Sequence, residues 1–364
     1  MIKTLDGYIL RSFGVNYAIS LCALIGLYIT LHLFFNLDEF VEGSPGFLQS
    51  LANIAGYYGY NVFLYFAQTS GVITLFAATC TLARMQKANE LVACLATGTS
   101  LFRVAAPVIV AGVLTNGLWI VDQEIIIPRL AAKLARDPDD VEGNRTRALW
   151  FVKDRNRALL LADQFFPAEQ TMFKMIVLER DQDAHMTAVI SADRAVWDAA
   201  AGGWRLTRGV RSRPAGDLQA GFSSGETVLR EHVDLYTSDL GPEELVLRQA
   251  SQWKNFLSLA QLNDLQTSDY VDPGEVQRIR HARFAAPFVN LLWLLLGLPF
   301  FLVREPMSVL EQAAKCLLNC GLAFVVNFLA ANLAGNSVYP ALPAWVPIMV
   351  FAPLSVVYLD SIKT

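Results

Sequence analysis

Long uncharged runs flank one polar stretch in this chain. The first apolar block occupies residues 12–121, broken by short charged loops, the second occupies 284–359, and most of the charge lies between Asp122 and Arg283. The hydrocarbon core of a bilayer requires about 20 consecutive apolar residues per helix. On that measure the blocks predict six spans: 13–35, 62–82, 102–121, 284–303 and two within 316–359, where Gly335, Asn336, Pro340 and Pro343 mark the turn between them. The uncharged run 43–83 is too long for one span, so its first part, 47–60, is expected at the membrane interface, where its tyrosines belong. The N-terminal run is too long for a cleavable leader and lacks a small-x-small site, which makes it a retained anchor.

Basic residues of the short loops set an orientation. Lys3, Arg11, Arg84, Lys87, Arg103, Arg304 and Lys363 share one side, whereas the loops near Asp38 and Asn336 carry none. The positive-inside tendency puts both termini in the cytoplasm. After three spans the polar stretch then lies outside, in the periplasm of a two-membrane bacterium. The expected organisation is spans one to three in residues 1–125 with a cytoplasmic helix near 88–98, a β domain with flanking helices in 126–276, and spans four to six in 277–364.

The polar stretch has a strand period. Residues 187–197 alternate apolar and polar, Ala201, Gly202 and Gly203 form a turn, and Trp204, Leu206 and Val210 continue the alternation, which predicts a hairpin. Further strands are expected at 159–162, 173–179 and 228–236. Ser258 and Gln261 have capping-box spacing ahead of a short helix. The fold class expected is an α-helical polytopic membrane protein, six transmembrane helices arranged 3+3, with an inserted all-β domain of the sandwich or jelly-roll kind.

Composition agrees with a bilayer solvent: 54% hydrophobic and 17% charged residues, against roughly 25% charged in ordinary soluble domains. The net charge of −4 says little about partners because it averages two different environments. All five cysteines lie in or beside the apolar blocks, so no disulfide framework is implied for the polar domain. Cys316 and Cys320, one helical turn apart, have no His or carboxylate companions and read as packing residues rather than metal ligands.

Motifs of catalysis are missing. The sequence has no phosphate loop, nucleophile elbow or His-Glu-x-x-His pair, and its four histidines, His32, His185, His232 and His281, are scattered. No carboxylate or histidine occupies the middle of an expected span as a proton relay requires. Vectorial work by this chain would draw its energy from a partner. The loop after the second span is the candidate meeting point: Asn89 can cap a short helix, Glu90 sits in its first turn, Leu91, Val92 and Leu95 form an apolar stripe, and Gly98 suits its end. An ordinary connector fits the same spacing.

The segment Asn89-Glu90-Leu91-Val92-Ala93-Cys94-Leu95-Ala96-Thr97-Gly98-Thr99-Ser100 resembles the Glu-Leu…Gly-x-Ser loop of the LptF/LptG (YjgP/YjgQ) permeases, the membrane subunits of the bacterial lipopolysaccharide exporter. Other matches follow in order. Leu5-Asp6-Gly7-Tyr8-Ile9 resembles the family's N-terminal motif, Ile127-Pro128 its exit from the third span, and Ile190-Ser191-Ala192-Asp193-Arg194-Ala195 with Trp204-Arg205-Leu206 its periplasmic hairpin. Arg283-Phe284-Ala285-Ala286-Pro287 with Gly297-Leu298-Pro299, and Leu342-Pro343-Ala344-Trp345-Val346-Pro347, resemble the fourth span and the start of the sixth.

The resemblance implies half of an ATP-driven exporter in the inner membrane. In the family an LptF–LptG pair stands over two LptB ATPases, which hold ATP and Mg, and a periplasmic jelly roll continues into LptC. This chain would then have no catalytic residue, cofactor or metal of its own and no nucleic-acid partner. Lipid would enter from the outer leaflet between the first and fifth spans of opposing subunits. Glu90 matches the family's coupling-helix glutamate, with Leu91 and Leu95 beside it.

Two further groups are candidates for the lipid. Arg129, Lys133 and Arg136 follow i, i+4, i+7 spacing on one helix face, and Arg278, Arg280 and Arg283 crowd the outer mouth of the fourth span, so both groups suit head-group phosphates. Snorkelling or solvated arginines would have the same spacing. Asp38, Glu39 and Glu42 stand at the outer end of the first span, where basic residues are expected of lipopolysaccharide exporters. Val189, Trp197, Trp204 and Leu206 are candidates for an acyl-chain groove, and a plain β core would use the same alternation. The alternative function is a membrane scaffold or sensor whose β domain binds an envelope partner without transport.

Overall fold

The computed structural model describes residues 4–42, 46–135, 146–154, 156–181, 183, 185–214, 228–249, 253–266, 272–303, 308–333, 339–360 and 362. Lys3, Arg136, Arg304, Lys363 and the expected turn at Gly335 and Asn336 lie outside the described residues. The chain divides into two compact units, one of Met1–Leu37, Tyr58–Pro128 and Pro273–Thr364, the other of Asp38–Tyr57 and Arg129–Asp272.

Among the described residues, six helices are long and apolar enough to cross a membrane. Helix α1 (Thr4–Phe35) is followed by the short α2 (Leu37–Glu42) and by α3 (Phe47–Lys87). The segment 47–60 and the expected second span are continuous, because the 41 residues of α3 form one helix. The run contains no proline to break it. At 1.5 Å per residue it reaches about 60 Å, twice the roughly 30 Å of hydrocarbon, so it extends past the bilayer. The short α4 (Glu90–Ala96) leads to α5 (Leu101–Val121). The third span also outruns its expected end: after Val121 a π-helical turn, Asp122–Ile126, carries the helix on into α6 (Ile127–Leu134). Asp122, expected to open the polar stretch, is 2% exposed. The last three spans are α9 (Pro273–Gly297), α10 (Val309–Leu333) and α11 (Leu342–Asp360).

Within the membrane unit, α3, α5 and α9 are the most buried spans and α1, α10 and α11 the least. Close approach accounts for the difference. Side chains of the neighbouring helix occupy the space a Cβ would need at Gly71, where Asn290 sits, at Gly112, where Leu294 sits, and at Gly297, where Leu75 sits. Lipid tails are as apolar as the helices, so association depends on such close packing and on polar clamps. Thr74 and Thr115 hydroxyls lie 3.1 Å apart, Asn290 Nδ2 donates to Ser70 Oγ and Asn116 Oδ1 at 3.3 Å each, and Trp119 Nε1 donates to the Ala67 carbonyl at 2.9 Å. The outer spans instead present Phe34, Phe35, Leu317, Leu318, Val356 and Val357 on their surfaces.

Among the described residues, the second unit is built on an antiparallel sheet of eight strands. Strands β1 (Arg147–Lys153), β2 (Leu159–Phe166), β3 (Thr171–Arg180) and β4 (Met186–Asp198) follow one another as neighbours. The long β4 then pairs with β5 (Gly203–Thr207) through its C-terminal end and with β6 (Val210–Pro214) through residues 189–191. The expected hairpin is present, with Trp197 opposite Trp204. The expected single strand at 228–236 is corrected to two, β7 (Val228–His232) on β6 and β8 (Leu235–Thr237) on β5. Their division mirrors the break between β5 and β6, where Arg208 takes a φ of 55° and Gly209 lies too close to the Val233 carbonyl to carry a side chain.

Burial does not alternate evenly along these strands. Leu160 and Ala162, Met175 and Val177, and Ile190 and Ala192 face the core, yet so do Phe165, Met172 and Ala195 further along the same three strands. The faces exchange at one level across the sheet, at Lys174, whose φ of 50° is left-handed, while the pairing register runs unbroken through it. This exchange of faces lets one core be shared by both halves of the sheet. The core is completed by Leu240 and by Leu245 and Val246 of α7 (Pro242–Gln249). Asp154, after β1, accepts hydrogen bonds from the Tyr236 hydroxyl of β8 and, at 2.9 Å, from the Ala158 amide. Burial pushes both the Asp154 carboxyl and the Tyr236 hydroxyl above their ordinary pKa values. The capping box at Ser258 and Gln261 forms reciprocally, at 2.8 and 3.3 Å, and starts α8 (Leu259–Gln266).

Candidate functional site

The loop between α3 and α5 holds the most specific geometry. Helix α3 ends through amide bonds from Ala88 to the Arg84 carbonyl at 3.0 Å and from Asn89 to Gln86 at 2.9 Å, after which Asn89 adopts φ 58°, ψ 16°. The expectation that the Asn89 side chain caps α4 is corrected, since it makes no capping bond. Asn89 instead reverses the chain in the left-handed conformation, which asparagine tolerates better than other residues with side chains. Replacing Asn89 by glycine should leave stability within a few tenths of a kcal/mol, and valine should lower it by about 1–2 kcal/mol. Thermal unfolding of the purified complex measures this, and equal melting of the two variants would overturn it.

Gly98 does end α4, at φ 78°, with its amide on the Leu95 carbonyl at 2.9 Å and that of Thr99 on Cys94 at 3.0 Å. Ser100 Oγ then accepts from the Arg103 amide at 3.3 Å and starts α5. The Gly-x-Ser spacing is thus one helix terminator followed by one helix initiator. Leu91 is 2% exposed and belongs to the membrane core, with Cys94 and Leu95 packed beside it, while Val92 faces outward at 51%. The stripe read as continuous is therefore split, with its inner side anchoring the helix.

Glu90 is half-buried and accepts hydrogen bonds from the Tyr8 hydroxyl at 2.8 Å to Oε1 and 3.0 Å to Oε2. Beside it Arg103 meets Asp6 at 2.6 Å. Ile9, of the same N-terminal motif, is completely buried. Residues that match the family as separate motifs in sequence thus touch in the fold. Their spacing carries no such signal, because Tyr8 and Glu90 are 82 positions apart.

The basic groups are placed differently from one another. Arg129 and Lys133 are exposed on α6, while Leu134 and Ala131 face inward, and α6 ends before Arg136. Arg278 and Arg280 are half-buried on α9. Arg283 is buried, its guanidinium 3.4 Å from Glu124 Oε1 on the π-helical turn. Arg283 is five positions after Arg278, which sets them about 140° apart around the helix.

The four groove candidates do not share a surface. Trp204 is completely buried and Leu206 6% exposed, both within the β core, Trp197 packs against that core, and Val189 lies on the opposite face from Ala188 and Ile190. Trp204 Nε1 donates to the Leu240 carbonyl at 2.9 Å. Among the described residues, Asp181, Asp183 and His185 come within reach of a common cation at the turn after β3. Asp181 Oδ1 is engaged by the Asp183 and His185 amides at 3.0 and 2.8 Å.

The family model described as lipopolysaccharide export system permease LptF/LptG matches residues 7–360. A search of curated proteins finds no match.

Proposed function

Because the chain belongs to the LptF/LptG family of lipopolysaccharide export permeases, we propose that it is one membrane half of an ATP-driven exporter that lifts lipopolysaccharide, or a related glycolipid, out of the inner membrane. A paralogous permease completes the gate, an LptB-like ATPase pair binds beneath it, and an LptC-like bridge receives the lipid in the periplasm. The β unit is periplasmic in this reading, and both termini are cytoplasmic. The observation that carries it is α4: seven residues fixed at both ends, anchored by Leu91 in the membrane core, with Val92 facing outward and the half-buried Glu90 in its first turn. A short helix so held can transmit force from an ATPase without yielding. The little-buried spans α1 and α10 offer the apolar surface that a second subunit and lipid chains would cover.

Glu90→Ala in the reconstituted complex should lower lipid-stimulated ATP turnover about tenfold or more, the effect of losing one charge-assisted contact. Unchanged turnover with normal assembly would sink the coupling role.

A further inference from the structure

We propose that Tyr8 is a positioning residue that aims the Glu90 carboxylate, making the first membrane helix part of the coupling element. The inference rests on the proposed role of Glu90 at the ATPase. A glutamate on a short helix has three side-chain torsions, so its charge has no fixed direction unless something holds it. Tyr8 supplies that hold. Its hydroxyl lies 2.8 and 3.0 Å from the two carboxylate oxygens, a single donor set almost evenly between them. A phenol donates without neutralising, and a carboxylate has about four acceptor positions, so the charge stays available to a cation of the partner from the other side.

The hold is itself anchored. Two residues before Tyr8, Asp6 pairs with Arg103 at 2.6 Å in the first turn of α5, and one residue after it Ile9 is sealed in the core. The start of α1 is thereby tied to α5 by Asp6 and to α4 by Tyr8, and cannot shift without moving the Glu90 carboxylate. Helix α1 is also the least buried span, at 11% of its apolar window. Any rearrangement of that lightly packed helix during transport reaches the ATPase contact through one hydrogen bond.

The test is a double-mutant cycle on the assembled exporter in lipid nanodiscs, with ATPase subunit titrated onto the permease pair. Tyr8→Phe keeps the ring and removes the donor. It should weaken ATPase binding roughly threefold to tenfold, the span of one hydrogen bond, with the melting temperature of the permease unchanged. On a Glu90→Gln background it should add nothing. Asp6→Asn, which loosens the same turn, should show the same dependence on Glu90. Equal losses from Tyr8→Phe in both backgrounds, or a lowered melting temperature, would assign Tyr8 a merely structural part and overturn the inference. Full affinity in Tyr8→Phe alongside a clear Glu90→Gln defect would overturn it too and leave the coupling role of Glu90 standing. No effect of Glu90→Gln itself would remove that role first, and this inference with it.

Discussion

Arg283→Met is expected to destabilise the membrane unit by about 3–5 kcal/mol, the cost of removing one partner of a buried ion pair and leaving the other's charge in place. The Arg283 side chain is 8% exposed and the Glu124 side chain 22%, with 3.4 Å between them. Water screens such a pair far less than a surface one, so the discount that applies to exposed salt bridges is small here. Methionine fills most of the arginine's volume, which confines the loss to the charge. Adding Glu124→Gln should recover much of the stability, because it removes the charge that was left behind. Thermal unfolding of the purified complex reads both variants. A single variant as stable as the parent would overturn the structural role. Photocrosslinking to lipid separates the other reading: a head-group arginine would lose crosslinks at unchanged melting temperature.

Legibility in the sequence followed the length of each signal. All six spans were readable because a bilayer imposes a demand of about 20 apolar residues that few other structures meet. Their ends were not. The charges at Asp122 and Glu124 looked like an exit from the membrane, but a helix continues through polar residues as readily as through apolar ones, and only packing against α9 decides where Arg283 and Glu124 go. The unbroken length of α3 was hidden for the related reason that hydropathy counts residues suited to a bilayer and not residues needed to cross it. In the β unit the hairpin from 187 to 206 was legible from alternation and a Gly-rich turn. Strand β1 was overlooked, since its bulges between Arg147 and Val152 spoil the period-two pattern.

At the candidate site, Glu90 was reachable from the chain alone because helix start, apolar stripe and terminal glycine are local signals. The left-handed Asn89 was misread, since asparagine suits a helix N-cap and a helix C-terminus about equally and only the backbone angle distinguishes them. The contacts of Tyr8 and Asp6 were beyond reach because they join the first span to the starts of α4 and α5, far away in sequence. Their motif was visible as a string, but its physical content is tertiary.

The largest effect in the β unit is expected from Trp204→Ala, about 3–5 kcal/mol, the usual cost of truncating a buried tryptophan. Trp204 is completely buried, packs edge-on against Phe165 at 6.4 Å and Trp197 at 5.2 Å between ring centres, and donates to the Leu240 carbonyl. Truncation opens a cavity and leaves that carbonyl without its donor. Hydrogen exchange on the whole complex should show lost protection in β4, β5 and β8, the strands that meet at this ring. Trp204→Phe should cost less, on the order of 1–3 kcal/mol, since it keeps an aromatic ring and loses the bond. Unchanged exchange in the alanine variant together with weakened lipid crosslinking would instead make Trp204 a groove residue. A strand facing a groove and one facing a core share the same alternation, so the sequence could not separate the two. What separates them is whether something covers the face, and Trp204 is enclosed by the chain itself, bonded to the Leu240 carbonyl within a core that also takes in Leu245 and Val246 of α7.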